Sequence, residues 1–117
     1  CTITVDARTI AAFDNERMIS AVRASVRSEV EIVSRRLNPV SGDPNSRIAR
    51  AALAAAPGRA VGGFGGVSDL AHLAGRPAIV FGPGTPDQSH AADESIALEA
   101  LTEAPAIYRA AIENYFA

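Results

Sequence analysis

The apolar and polar positions of the first forty residues predict a strand, a helix and a second strand. Residues 2–8 alternate apolar and polar side chains, which is the period of two expected for a half-buried strand. Apolar residues then recur at helical spacing, with arginines on the other side, which predicts an amphipathic helix from about Glu16 to Glu29. Residues 31–37 are again strand-like, and turn-forming residues follow from Asn38 to Pro44.

The later part of the chain predicts two helices on either side of a short buried strand. Asn45 or Ser46 can cap a helix that runs to about Ala56. Residues 77–81 (PAIVF) form an apolar run bounded by Pro and Gly, which is typical of a central strand covered on both faces. The spacing from Ser95 to Phe116 predicts a long final helix, with a kink or break near residues 102–104 because of Pro105. Strands that alternate with helices indicate the α/β class.

Composition narrows the class of protein without identifying a function. The 117 residues are 48% hydrophobic, enough for a packed core, and the net charge of −2 argues against nucleic acid or an anionic membrane surface as a partner. No apolar run approaches the roughly 20 residues that span a bilayer, and no signal peptide precedes the first strand, so we expect a cytoplasmic protein. Because Cys1 opens directly into a strand pattern, we also expect that the chain begins within a longer protein.

His90 is the first candidate for chemistry. It lies just beyond the predicted strand 77–81, where open α/β sheets place ligands, and Asp93 and Glu94 follow closely. Carboxylates can hold the second nitrogen of a metal-bound imidazole. On spacing alone, a single histidine in a polar loop is more often a surface residue. His72 lies inside a short predicted helix that starts at Val67 or Ser68 and ends at Leu73, and it is better explained as a structural or surface residue.

The loop Gly62–Gly66 is the second candidate. It lacks the glycine patterns of nucleotide-binding loops, and the chain contains no lysine to reach a phosphate. Its glycines would let a ligand approach the backbone at the start of the following helix. The simpler interpretation is that Ser68 caps that helix and that Asp69 balances its dipole.

Residues 62–94 resemble the end of the zinc-dependent aminoacylase, acetylornithine deacetylase and succinyl-diaminopimelate desuccinylase family of metallopeptidases. Three motifs carry the resemblance, namely G-G-x-S-D at 65–69, P-x-x-x-F-G-P-G at 77–84, and H-x-x-D-E at 90–94. The resemblance implies that His90 is a metal ligand. It also implies two ions in the complete enzyme, zinc or else cobalt or manganese, and hydrolysis of an N-acyl amino acid or small peptide.

The resemblance also implies a set of substrate-binding residues around the two glycine loops and at the crossing between the two parts of the chain. In the family, the glycine loops shape the pocket for the substrate's carboxylate end, and an Asn or Arg near the crossing contacts that carboxylate. The positions that match are Gly65, Gly66, Ser68, Gly82, Pro83 and Gly84, and more loosely Asn38 and Arg36. For the last two, a solvated strand end is the alternative.

The resemblance finally implies how the chain is organised. Residues 1–38 match the second half of a ferredoxin-like lid that also makes a dimer, and residues 39–117 match the C-terminal segment of a three-layer αβα zinc-hydrolase domain. The family's other ligands, an H-x-D motif, a bridging Asp and a Glu-Glu pair, lie upstream and have no counterpart here. We therefore expect an N-terminal chain or segment of the same enzyme as a partner, and an oligomer.

Two other functions are compatible with the sequence. A non-catalytic binding or oligomerisation module could retain this part of the fold. An N-terminal Cys hydrolase could use Cys1 as its nucleophile, with its own amine as the base.

Overall fold

A computed structural model describes residues 1–63 and 68–117 of the chain. Its helices are α1 (Asn15–Ser25), α2 (Arg47–Ala55) and α3 (Leu98–Phe116), with single 3₁₀ turns at Asp69–Leu73 and Pro86–Gln88. The described residues fall into two compact units. The first holds residues 1–41 and the described residues that lead up to Gly75, and the second holds the rest. A domain boundary between residues 38 and 39 stays a prediction.

Helix α1 of the first unit begins where a side chain can satisfy its free amides. The carboxylate of Asp14 accepts a hydrogen bond from the backbone N–H of Arg17 at 2.9 Å, as an N-cap residue does. Glu16 lies in the first turn and Arg23 in the last, so both charges oppose the helix dipole.

The end of α1 differs from the prediction, which extended the helix to Glu29. The helix stops at Ser25, whose hydroxyl donates to the carbonyl of Ala21 at 2.7 Å, and Val26 already has extended backbone angles. Serine competes with the backbone in this way and favours helix ends, and a β-branched valine adds no helical preference. Because no residue of α1 is buried, packing does not extend the helix.

Asn15 joins three parts of the first unit. Its side-chain oxygen accepts from the hydroxyl of Thr9 at 2.6 Å, and its amide donates to the carbonyl of Leu37 at 3.2 Å. Arg35 lies beside it and forms an ion pair of 2.7 Å with Glu16. Both members of the pair are half-exposed or more, so the pair contributes little to stability.

The three predicted strands are not formed in the described part of the chain, where the only β-type pairing is an isolated bridge between Ile10 and Phe13. A strand exists only when a neighbour accepts its backbone hydrogen bonds, whereas a helix satisfies its own. The apolar side chains of the predicted strands are correspondingly uncovered: Ile3 is 80% exposed and Val33 is 84% exposed. The α/β class is compatible with the helices seen here, but its strands are not shown.

The core of the second unit is a close contact between α2 and α3. It is built from small side chains, and the buried apolar residues are Ala49, Ala51, Ala52, Ala56 and Ala104. Ser46 caps α2, since its hydroxyl accepts from the N–H of Ala49, as the sequence predicted. The two helices are also joined by the side-chain amide of Asn114, which donates to the carbonyl of Ala51 at 3.4 Å.

Helix α3 corrects two features of the prediction. It begins at Leu98 rather than Ser95, because the hydroxyl of Ser95 donates to the side chain of Gln88 at 3.4 Å and does not cap the helix. It also continues through Pro105, so of the predicted kink or break the break is wrong and the kink stays a prediction. Proline leaves the carbonyl of Leu101 without its helical donor, but Leu101 is 52% exposed, so water can reach that carbonyl.

Enlarging the buried alanine of α3 should destabilise the second unit. Ala104 is 8% exposed, so Ala104→Leu is expected to lower the free energy of unfolding by about 1–3 kcal/mol through overpacking. Ala106→Leu adds the same side chain at an exposed position of the same helix and serves as the control. Equal stability of both variants, measured by chemical denaturation, would contradict the alanine contact.

None of the helices in the described ranges is both long and apolar enough to cross a membrane.

Candidate functional site

The turn Gly82–Gly84 brings the chain out of segment 77–81 and toward His90. Gly84 has a φ of +89°, a backbone region that residues with a Cβ rarely adopt. A Cβ at Gly82 would lie 3.5 Å from the hydroxyl oxygen of Tyr108. Glycine at position 84 is therefore required by the turn itself.

A single 3₁₀ turn then carries the chain from Thr85 to Ser89. The backbone N–H of Gln88 donates to the carbonyl of Thr85 at 3.2 Å, and that of Ser89 donates to the carbonyl of Pro86 at 3.1 Å. Pro86 suits the first position of such a turn, where no N–H is needed. This turn fixes the entry of the backbone into His90.

His90 stands in a strained backbone conformation. Its φ is +61°, and no other non-glycine residue of the described ranges has a positive φ. The left-handed region costs an ordinary residue about 1–2 kcal/mol. Such strain is concentrated at functional sites, where the position of a side chain matters more than local stability. The side chain is exposed, as are those of Asp93 and Glu94.

Relief of this strain should be measurable. His90→Gly removes the Cβ that disfavours a φ of +61°, so the free energy of unfolding is expected to rise by up to about 1 kcal/mol, part of the gain being offset by glycine's greater unfolded-state entropy. Thermal unfolding of the variant checks it, with His72→Gly as the control, because His72 lies in a 3₁₀ turn and should be destabilised instead. A lower stability of His90→Gly would contradict the strain.

An open cleft of about 330 Å³ lies beside this turn, and we call it the Gly84 cleft. The residues on either side of the histidine, Ser89 and Glu94, contribute to its wall. Its full lining is Pro83, Gly84, Thr85, Gln88, Ser89, Glu94, Ser95 and Ile96. The structure thus brings two of the predicted substrate-binding residues together with the loop that carries His90. Glu94 is the one charged residue of this lining.

The residues present do not by themselves fit a metal centre. Across residues 1–63 and 68–117, no three His, Cys, Asp or Glu side chains lie close enough to hold an ion. A structural or catalytic zinc needs at least three protein ligands, and a two-metal site needs more. His90 can supply one imidazole ligand, and a complete centre would need at least one ligand from outside the described residues.

None of the other predicted substrate-binding residues that the structure describes lines the Gly84 cleft, and their positions differ from one to the next. Gly65 and Gly66 lie outside the described residues. Ser68 is half-buried and caps the turn Asp69–Leu73, since its hydroxyl accepts from the N–H of Leu70 at 3.3 Å, which agrees with the simpler of the two interpretations. Arg36 and Asn38 are exposed residues of the first unit. Their roles in substrate binding stay predictions.

Sequence reasoning missed the polar residues that complete the Gly84 cleft. Gln88 and Ser95 are joined by a side-chain hydrogen bond of 3.4 Å, and Thr85 begins the turn between the glycine loop and the histidine. A signal was present, because the segment T-P-D-Q-S fills the interval between G-P-G and His90 and is rich in turn-forming polar residues.

The geometry defines a glycine turn that leads, through a 3₁₀ turn, to a histidine of positive φ and an acidic pair beside an open cleft. Residues 2–114 match the sequence model of peptidase family M20/M25/M40, and the chain therefore belongs to this family of hydrolases. The match supports the resemblance at the level of the metallopeptidase family. No curated protein and no solved structure gives a significant match.

Proposed function

We propose that the chain is the C-terminal segment of a metal-dependent amidohydrolase or peptidase that cleaves an N-acyl amino acid or a small peptide amide. The observation that carries this proposal is His90. In a chain that belongs to the peptidase family M20/M25/M40, the histidine of the H-x-x-D-E motif stands in a left-handed backbone conformation, after the turns at Gly82–Gly84 and Pro86–Gln88. The strain supports a functional side chain rather than a surface residue.

His90 is proposed as one ligand of a metal centre. A ligand must be aimed, and the positive φ sets the direction of the Cα–Cβ bond that carries the imidazole. Asp93 and Glu94 follow His90 closely in the sequence, so either carboxylate is proposed to orient the second imidazole nitrogen. A bound metal, zinc or else cobalt or manganese, would supply Lewis-acid chemistry at the amide carbonyl.

The Gly84 cleft is proposed to hold the substrate. The turn Gly82–Gly84 allows close approach of a ligand to the backbone, because glycine carries no side chain there. Gly65, Gly66 and Ser68 are assigned the carboxylate end of the substrate by their match to the family motif, with Arg36 and Asn38 as further contacts. The acyl group is not selected by any of these residues.

Activity is proposed to require the N-terminal part of the same enzyme. The described residues contain no group of three metal ligands, so a closed centre needs carboxylates and imidazoles that another segment brings. Ile3, Val5 and Val33 of the first unit are exposed, and this supports a second protein segment that would cover these apolar side chains.

The test is the metal content and native mass of the protein isolated from its source under mild conditions. A complex of the chain with a larger segment, holding about two metal ions and hydrolysing N-acetyl amino acids, supports the proposal. Removal of the metal with a chelator is expected to abolish hydrolysis, and added zinc, cobalt or manganese is expected to restore it. The proposal would be refuted if the 12.1 kDa chain were isolated alone, without metal, and if no complex that contains it hydrolysed an amide.

A non-catalytic binding or oligomerisation module is the second candidate. The same lack of a three-ligand group favours it, because a module needs no metal centre. The two candidates differ in one measurement. A complex that forms without metal and hydrolyses no amide identifies the module, whereas metal-dependent hydrolysis by the complex excludes it.

A further inference from the structure

The loop that carries the H-x-x-D-E motif is held by few hydrogen bonds. In the part of the chain that the structure describes, residues 90–96 make no backbone-to-backbone hydrogen bond. One side-chain hydrogen bond spans the loop, in which the hydroxyl of Ser95 donates to the side-chain oxygen of Gln88 at 3.4 Å. We call this pair the 88–95 clasp, because it joins the residues on either side of positions 89–94.

A second contact lies at the base of the same loop. Ile96 directly follows the clasp, and a Cβ at Gly84 would lie 3.7 Å from its side chain, so Ile96 lies against the glycine turn. Gly84, Gln88, Ser95 and Ile96 all line the Gly84 cleft. Residues 85–95 thus form a loop whose two ends lie close together, which is the arrangement of an Ω-loop.

The left-handed backbone of His90 needs contacts of this kind. A strained residue relaxes to a negative φ unless the surrounding structure holds it. His90 has a φ of +61° and is exposed, so burial of its side chain does not hold it. The net free energy of one hydrogen bond is similar to the cost of one left-handed residue, so the clasp is strong enough to decide which conformation His90 adopts.

We propose that Gln88 and Ser95 are positioning residues for His90. The 88–95 clasp keeps the loop closed and thereby keeps His90 in its left-handed conformation, with the imidazole aimed for hydrolysis. Both residues lie outside the three motifs that carry the family resemblance, so the resemblance assigns them no role. The catalytic part of this inference rests on the proposed function, whereas the effect of the clasp on the backbone of His90 does not.

The first test is a double-mutant cycle on the stability of the 117-residue chain. While the clasp holds His90 at a φ of +61°, His90→Gly should raise the melting temperature. In a Ser95→Ala background the loop can relax, and His90→Gly should then lower the melting temperature, because glycine adds only unfolded-state entropy. Ser89→Ala is the control background, since the hydroxyl of Ser89 makes no hydrogen bond to the described residues, and the rise should persist there.

The second test is amide hydrolysis by the assembled complex. Ser95→Ala and Gln88→Met each break the clasp, and kcat should fall about tenfold or more with little change in KM, because a small displacement of a reacting group is costly. The double variant should be no slower than the single variants, since both remove the same hydrogen bond. Ser95→Thr keeps a hydroxyl donor and should retain kcat. A change confined to KM would make the pair a substrate contact and overturn the positioning role.

The two tests separate the failure of this inference from the failure of the proposed function. If His90→Gly changes the melting temperature equally in every background, the clasp does not hold His90, whatever the complex hydrolyses, and the inference is overturned. If the stability cycle gives the expected coupling but His90→Asn hydrolyses amides as fast as the unaltered complex, the proposed function is wrong, and the positioning role in catalysis is overturned with it.

Discussion

Replacing His90 with asparagine is expected to lower kcat/KM of the assembled hydrolase by about 100-fold or more. Loss of a residue that merely supports a metal ligand costs about 10–100-fold in affinity or activity, and loss of the ligand itself should cost no less. Asparagine tolerates the left-handed region, so His90→Asn keeps the backbone at a φ near +61° while removing the imidazole. The measurement is amide hydrolysis together with metal content of the purified complex.

The second histidine of the chain is the control for this prediction. His72 lies in the turn Asp69–Leu73 and belongs to the first unit, and His72→Asn should leave hydrolysis and metal content unchanged. If His90→Asn retained both full activity and its metal, His90 would be a loop residue whose strain has no catalytic meaning. A loss of activity with the metal retained would assign His90 to the substrate rather than to the metal.

Helices were predictable from the sequence where a local signal decides them. Ser46 was predicted as a possible cap of α2 and is one, and α2 ends within a residue of the predicted position. The prediction failed where two local signals competed. Ser25 bonds back to its own helix and ends α1 before Glu29, and Ser95 is engaged by Gln88 instead of starting α3. Neither side-chain partner can be read from helical spacing.

Strands were harder to predict because their formation depends on distant partners. The alternation of residues 2–8 and the apolar run 77–81 describe what a strand would bury, but neither specifies a neighbour that completes the ladder. In the described part of the chain these segments stay unpaired, and Ile3 remains 80% exposed. The alternation therefore indicates that these segments need a neighbouring strand, but it does not indicate which part of the protein provides that strand.

In the candidate site, too, some features could be predicted from the local sequence and others could not. The order of glycine loop, histidine and acidic pair was visible in the sequence. The left-handed backbone of His90 was not visible, because neither the motif nor the hydrophobic pattern specifies the φ of a single loop residue. The hydrogen bond between Gln88 and Ser95 joins residues seven positions apart and was likewise hidden.

Adding a methyl group at Gly84 should separate the stability of this turn from its function. Gly84 has a φ of +89°, so Gly84→Ala is expected to lower the free energy of unfolding by about 1–2 kcal/mol. The new Cβ would lie 3.7 Å from Ile96, an ordinary contact, so the cost is in the backbone and not in a clash. Because the turn lines the Gly84 cleft and leads to His90, kcat/KM of the assembled enzyme should fall about tenfold or more, since small displacements at a site are costly.

Gly58 provides the matched control, because it has nearly the same backbone conformation away from the cleft. Its φ is +82°, and a Cβ there would meet nothing within 4 Å. Gly58→Ala should therefore lose the same stability as Gly84→Ala in thermal unfolding and retain full hydrolysis. If both variants lost activity in proportion to their stability, the turn would serve only folding. If Gly84→Ala kept full activity, the Gly84 cleft would not be the substrate site.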